Sequence, residues 1–266
     1  MVTTTILTVL IVGSCLPYGK GLDKSLFYAI ISVASYIMKL REPPMRLSEK
    51  TLKILQNFTT INQSLYFKEG NKLRTISVMK NVLAEAELDE YIPRDFAIYD
   101  LPQFLNTLSL YRSPEVDVST NTSYAIIKDG NNRAKFFFSD PSVIVAPPEK
   151  EMQLPSEDVS FKLSEADLTR ILKSSSIMQL PDMSVVGEDG IVKLLVSDRK
   201  NDTSNEYSIQ VGETERNFSF NFKIENIRLI PKDYQVLISS KNLAKFTNND
   251  YKLTYFIALE PDSTCD

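Results

Sequence analysis

Apolar residues recur along this chain in two stretches of the same plan. In Leu47-Ser48-Glu49-Lys50-Thr51-Leu52-Lys53-Ile54-Leu55, continued to Phe58, the residues Thr51, Leu52, Leu55 and Phe58 share one face of a 3.6-residue wheel, and Lys50, Lys53, Gln56 and Asn57 share the other. The pattern predicts an amphipathic helix. It returns 116 residues later in Leu163-Ser164-Glu165-Ala166-Asp167-Leu168-Thr169-Arg170-Ile171-Leu172, with Leu168, Ile171, Leu172 and Ser175 inward and Thr169, Arg170 and Lys173 outward. Both copies open on Leu-Ser-Glu, in which the Ser caps free amides of the first turn and the Glu suits the positive helix end. Two copies of one helix predict two related domains.

After the first helix the period shortens to two. Alternating runs over 63–67, 72–79, 82–88 and 96–99 predict antiparallel strands. A second helix over 101–111 follows, with Leu101, Phe104, Leu105, Leu108 and Tyr111 on one stripe and Pro102 in the first turn, where its missing N–H costs nothing. Strands over 116–119, 123–128 and 133–138 finish the half, the last two joined by the turn sequence Asp129-Gly130-Asn131-Asn132. Residues 145–155 then carry three prolines and three charges, a composition suited to an extended connector. Beyond it the order helix, strands, helix, strands begins again. Strands are predicted over 191–196, 206–211, 218–224, 234–239, 243–247 and 251–259, with a short helix over 224–230 stopped by Pro231. The sum is a duplicated α+β chain of two helices plus antiparallel sheets per domain: domain one over 45–144, a connector over 145–156, domain two over 157–266.

Residues 1–44 follow a different pattern. Apolar runs over 6–12 and 26–38 are interrupted by Pro17, Gly19, Gly21, Asp23 and Lys24, and neither reaches the ~20 residues of a spanning helix. The first run has the apolar core of a secretory signal, with Gly13-Ser14-Cys15 as small residues, but no Lys or Arg precedes it. The segment is expected to lie outside the fold, as a weak signal or anchor or as sequence ahead of a start at Met38 or Met45.

Composition narrows the chemistry. The 266 residues include no histidine, and the only two cysteines, Cys15 and Cys265, lie near opposite ends. Ser-His-Asp and Cys-His nucleophile pairs, a Cys/His metal site and a disulfide framework are excluded within one chain. The eight glycines form no phosphate-cradling motif. The densest carboxylates are Glu85, Glu87, Asp89 and Glu90; because Glu85 and Glu87 alternate with Ala84, Ala86 and Leu88, they read as the wet side of a strand. Net charge is -4, which argues against nucleic acid only if it is evenly spread. It is not. The helix segments carry nine bases (Arg46, Lys50, Lys53, Arg112, Arg170, Lys173, Lys223, Arg228, Lys232) and four acids (Glu49, Glu165, Asp167, Glu225), a local +5 that leaves -9 for the rest.

Several motifs fall in a recognisable order: Met45-Arg46-Leu47-Ser48 before the first helix, Ala97-Ile98-Tyr99-Asp100-Leu101, Asp140-Pro141-Ser142-Val143, Val145-Ala146-Pro147, and the ending Ala258-Leu259-Glu260-Pro261-Asp262-Ser263-Thr264. Over residues 45–266 the chain resembles the sliding clamps of T4-like bacteriophages, the DNA polymerase processivity factors. The resemblance implies a homotrimeric ring of six similar domains, lined by helices, through which duplex DNA threads. It implies no catalytic activity and no cofactor. Its implied partners are sequence-independent duplex DNA, the replicative polymerase and an ATP-driven clamp loader, with a role in late transcription, all in the cytoplasm of an infected cell and without a membrane. The nine bases named above become the expected DNA-facing set. Val145, Ile257, Leu259 and Pro261 become the expected lining of a partner-peptide pocket beside the connector. Edge strands bearing Arg133, Phe136 and Phe138, and Tyr207, Ile209 and Val211, become the expected subunit interface.

Two other readings compete. An exported β-rich binding or structural protein would use residues 1–37 as signal or anchor and could be glycosylated at Asn57, Asn121 or Asn217, although Asn57 lies on a helix. A carboxylate enzyme built on Glu85 and Glu87 would need them to converge in a pocket. Neither accounts for basic helices on an acidic body.

Overall fold

A computed structural model describes residues 44–266. The expectations for residues 1–43 lie outside the described residues. In chain order the described elements are α1 (Glu49–Ile61), β1 (Leu65–Phe67), β2 (Gly70–Ile76), β3 (Val82–Ile92), β4 (Phe96–Ile98), α2 (Leu101–Leu108), β5 (Glu115–Asp117), β6 (Tyr124–Asp129) and β7 (Asn132–Phe137). The second half contains β8 (Val159–Leu163), α3 (Glu165–Met178), β9 (Asp182–Glu188), β10 (Ile191–Ser197), β11 (Tyr207–Glu213), β12 (Phe218–Lys223), β13 (Tyr234–Ser239), β14 (Leu243–Asn248), β15 (Leu253–Ala258) and β16 (Thr264–Cys265).

Both copies of the repeated helix start as their sequences predict. Ser48 accepts from the Thr51 amide at 3.2 Å, and Ser164 accepts from the Asp167 amide at 3.1 Å. In each case a carboxylate from elsewhere in the fold supports the same end. Glu90 on β3 accepts from the Ser48 amide and, at 2.5 Å, from the Thr51 hydroxyl; Asp233 accepts from the Glu165 amide at 2.7 Å. A negative charge at the first turn satisfies free donors and faces the positive end of the helix dipole. Thr51, Ile54, Leu55, Phe58 and Ile61 are buried on α1, and Leu168, Ile171 and Ser175 on α3. Leu52 and Leu172 sit half-buried at the margins of those faces.

The strands form four sheets, in the orders β1-β4, β5-β6-β7, β11-β10-β9-β12-β16 and β2-β3-β15-β14-β13-β8. The last joins the two halves. β3 of the first half pairs antiparallel with β15 of the second, aligning Ala86 with Leu253, Ala84 with Tyr255 and Val82 with Ile257. Small alanines opposite large partners leave room for the Tyr255 ring, and all six side chains are buried in one continuous core with Phe58 of α1 and Phe246 of β14. The β6–β7 hairpin closes through Gly130, whose φ of 58° suits a tight two-residue turn.

Three expectations need correction. Residues 224–230 hold no α-helix, only a 3-10 turn at Ile224–Asn226. Ile227 and Leu229 are buried while Arg228 is exposed, the alternation of extended chain, and Pro231 favours an extended residue before it. The second half therefore has one α-helix where two were expected. β8 and β9 were not anticipated: Val159, Phe161 and Leu163 alternate inward directly before the second Leu-Ser-Glu, and β9 is mostly buried, so it lacks a clean polar alternation. The strand expected to run to residue 79 ends at Ile76, where Ser77–Asn81 turns through Lys80 at φ 59°.

Glu85 and Glu87 lie on the wet face as expected, paired with Arg74 at 2.6 Å and with Lys252 at 2.5 Å. Glu90, three residues beyond Glu87 and so on the other face of the strand, is a structural cap instead. Replacing Glu90 by Ala leaves the Ser48 amide and Thr51 hydroxyl without their carboxylate and is expected to cost about 1–3 kcal/mol. Glu87→Ala, which removes an exposed pair, is expected to cost about 0–1 kcal/mol. Urea denaturation of the two variants beside the parent measures the difference, and equal losses would remove the capping role.

Candidate nucleic-acid and partner interfaces

The exposed basic residues divide by what holds them. Lys53 on α1 and Lys173 on α3 are exposed and have no carboxylate partner among the described residues. Lys50 pairs with Asp89 at 3.2 Å, and Arg170 loosely with Asp167 of its own helix at 3.7 Å. Just before α1, Arg46 reaches Glu115 at 2.6 Å; this contact, then Lys128, holds the Glu115 carboxyl below its ordinary range. Arg112 is exposed in the turn after α2, where its backbone amide donates to Asp129 at 3.1 Å. α2 itself carries no charge.

Lys223 departs from the expected set. It ends a strand, and its ammonium binds Asp182, whose side chain is only 1% exposed; that hydrogen bond is the first cause raising the Lys223 pKa. A buried carboxylate without this partner would be strongly destabilising, so Lys223 has a structural task.

Residues 227–233 connect the two basic helices. The Asn57 amide of α1 donates to the Arg228 carbonyl at 2.8 Å, and the buried Tyr255 hydroxyl donates to Asn57 at 2.7 Å. At the other end Lys232 pairs with Glu165 in the first turn of α3 at 3.2 Å, which raises the Lys232 pKa, and Asp233 caps the same turn. Exposed Arg228 lies between them. Hydrogen bonds and an ion pair thus link α1, this segment and α3, which between them bear Lys50, Lys53, Arg228, Lys232, Arg170 and Lys173. Sequence alone assigns Arg228 to a helix and Lys232 to its end; Arg228 lies on extended chain and half-buried Lys232 in the bend that follows.

The expected peptide-pocket residues are not brought together. Ile257 is fully buried in the main core and Leu259 nearly so, while Pro261 is exposed beside Asp262, which Arg199 holds in a two-pronged contact at 2.5 and 3.1 Å. Period two explains the miss, since Ile257 faces the core and its neighbour Phe256 faces the other way. Val145 does belong to a surface cluster. It packs with Met152 and Leu243 on Ile76, Leu83 and Phe256, a second small core on the outer face of the six-stranded sheet. The sequence signal was available in the alternation of Lys72, Arg74 and Ile76 on one side of β2.

β7 and β11 each end a sheet and leave one edge unpaired. Arg133 is exposed on β7; Phe136 packs edge-on against Phe104 at 5.1 Å, and Phe138, just past the strand, lies 5.0 Å from Phe96 under Arg94. Phe137 points the other way and is 67% exposed. Tyr207, Ile209 and Val211 are half-buried against the core of their own half.

The described residues contain no group of three or more side chains able to hold a metal ion, and no helix long and apolar enough to cross a membrane. Comparison with known proteins identifies the architecture. Residues 47–146 match the family model for DNA polymerase processivity factor, and residues 160–261 match the C-terminal model of the gp45 sliding clamp. The sliding clamp of Escherichia phage RB69 is 32% identical over 232 residues, covering 84% of this chain and all of the relative; that of Enterobacteria phage T4 gives the same figures. The sliding clamp of Vibrio phage KVP40 is 30% identical over 223 residues, 81% of this chain and 99% of its own. Among solved structures, Proliferating Cellular Nuclear Antigen (PCNA) from Entamoeba histolytica superposes with a TM-score of 0.61 at 13% identity, covering 81% of this chain and 97% of its own. PCNA from A. fulgidus, solved with the C-terminal region of FEN-1 bound, gives 0.61 at 12% identity, covering 82% and 98%. At such identity these two speak for the fold alone, whereas the phage relatives extend through both halves, and the chain belongs to the sliding-clamp family of T4-like phages, the processivity factors of the phage DNA polymerase.

Proposed function

We propose that three copies of this chain close into a ring around duplex DNA, with α1, residues 227–233 and α3 of each copy facing the hole. The observation that carries this reading is the set of linked basic segments on an acidic body. Phosphates attract Lys50, Lys53, Arg170, Lys173, Arg228 and Lys232 without reading sequence, and Arg46 and Arg112 extend the set. Apart from half-buried Lys50 and Lys232 these are long, exposed side chains, whose weak, exchangeable contacts suit a protein that must move along its ligand. Lys223 is left out because Asp182 occupies it.

Subunits join edge to edge, β7 of one copy adding to β11 of the next. Support comes from two unpaired edges of similar length, six residues and seven, and from complementary charge: Arg133 and Lys135 on β7, Glu206 and Glu213 at the ends of β11. Peptides of the replicative polymerase and of an ATP-driven loader dock beside the connector at Val145, near Ile76, Leu83 and Phe256. The clamp itself performs no catalysis, acts in the cytoplasm of the infected cell, and also supports late transcription.

Two outcomes test the ring. Light scattering during size-exclusion chromatography of the full chain is expected to give about three times the 30.2 kDa subunit mass. The double variant Arg133→Glu/Lys135→Glu should shift it toward one subunit, and a monomer at every concentration for the parent would remove the ring. Lys53→Glu and Arg170→Glu, which leave the buried helix faces untouched, should each weaken equilibrium binding to a short linear duplex and flatten its salt dependence, since one phosphate contact contributes a slope of about 0.9 in log–log form. Unchanged affinity and slope across salt would remove α1 and α3 from the lining.

A further inference from the structure

The outer face of the six-stranded sheet carries a charged band and an apolar band side by side. Across β2 and β3, Lys72 aligns with Glu87 and Arg74 with Glu85; one step further Ile76 aligns with Leu83, which in turn aligns with Phe256 of β15. Ile76, Leu83 and Phe256 are buried although they point away from the main core. The connector covers them, through Val145 at its start and Met152 further on. Between those two residues it passes over the charged band. There Glu149 pairs with Lys68 at 3.2 Å, Glu151 pairs with Lys72 at 2.8 Å, and the Pro148 carbonyl accepts from Arg74 at 2.7 Å.

This strap is held by side chains alone. Among the described residues the backbone over 146–157 takes part in no backbone–backbone hydrogen bond. All four paired side chains are more than half exposed. Exposed pairs contribute little each and weaken as salt rises. If the strap lifts, two deficits open together: Ile76, Leu83 and Phe256 lose an apolar cover, and Lys68 and Lys72 lose their carboxylates. An incoming peptide that restores both would bind best.

We propose that Glu149-Lys150-Glu151-Met152 is a built-in occupant of this surface, and that a partner peptide of the same chemistry, carboxylates followed by apolar side chains, binds by exchanging with it. The inference rests on the reading that partner peptides dock beside the connector, and adds the chemistry they carry and what they displace. Met152 is the residue replaced, and Lys68 and Lys72 set the preference for acids.

The test uses the full chain and two fluorescein-labelled nonapeptides, one with two glutamates ahead of Leu-Phe and one with glutamines in their place, read by anisotropy. In Glu149→Gln/Glu151→Gln the strap is unlatched, and both peptides should bind about threefold to tenfold tighter than to the parent. A gain for the acidic peptide alone would reduce the effect to charge attraction and overturn exchange. In Lys68→Gln/Lys72→Gln the ratio of acidic to glutamine peptide affinity should fall toward one; an unchanged ratio would overturn the assigned preference. Tryptic cleavage after Lys150 should quicken in the parent when peptide binds. Equal binding by parent and unlatched variant, with unchanged cleavage, would overturn exchange while leaving docking in place. Failure of both peptides to bind any of the three proteins would overturn docking as well.

Discussion

The pairing of β3 with β15 is the contact on which the rest of this molecule depends. It is the place where two repeats, each with its own helix and strands, share one hydrogen-bonded sheet. Its register sets Ala84 and Ala86 opposite Tyr255 and Leu253, so large side chains of one half fill space left by small ones of the other. The Tyr255 hydroxyl then reaches Asn57 on α1, and Asn57 reaches the Arg228 carbonyl. A slip of one residue would turn every one of these side chains to the opposite face. The inner face of the sheet thereby fixes where the basic segments stand relative to each other, and the outer face provides the floor beneath the connector.

Charge is organised on the same frame. Acids such as Glu90 and Asp233 are spent at the helix starts, where they satisfy backbone donors. Lys53 on α1 and Arg170 and Lys173 on α3 are among the exposed positions of these helices and present their charge toward solvent. A chain with net charge -4 thus concentrates bases on a few segments and leaves the rest acidic. Where the first half has the uncharged helix α2, the second has the extended segment 227–233, whose backbone groups and side chains are bonded to α1, β15 and α3.

Much of the fold was legible because the repeated helix carries its own start signal and its own period. Leu-Ser-Glu with Leu168 and Ile171 at helical spacing needs no tertiary information to be read as a helix start. Strands with one wet face, such as β10 or β14, were legible for the same reason. β9 was not, since a strand buried on both sides has no alternation to detect. Residues 224–230 misled because their apolar positions fit both periods, Ile224, Ile227 and Ile230 at a spacing of three and Ile227 and Leu229 at two, and the deciding contacts, Asn226 with Asn81 and Tyr255 with Ile230, come from distant sequence. The basic residues were found as a set by counting charge, but the count could not see that Asp182 is buried beneath Lys223. The sequence also could not say that Ile257 faces the main core while Val145 packs on the outer face of the sheet, because proximity along the chain does not say which side of a strand meets solvent.

The central claim is that this chain encircles DNA and stays on it by topology. Retention on circular and linear DNA tests it most directly. The full chain is placed on a nicked circle by an ATP-driven loader, freed of unbound protein by gel filtration in raised salt, and the circle is then cut once with a restriction enzyme. A clamp that encircles its ligand remains on the intact circle and runs off the ends once the circle is opened. Loss at the same rate from circle and linear form would mean that the protein holds DNA by surface contact alone, and would contradict the account.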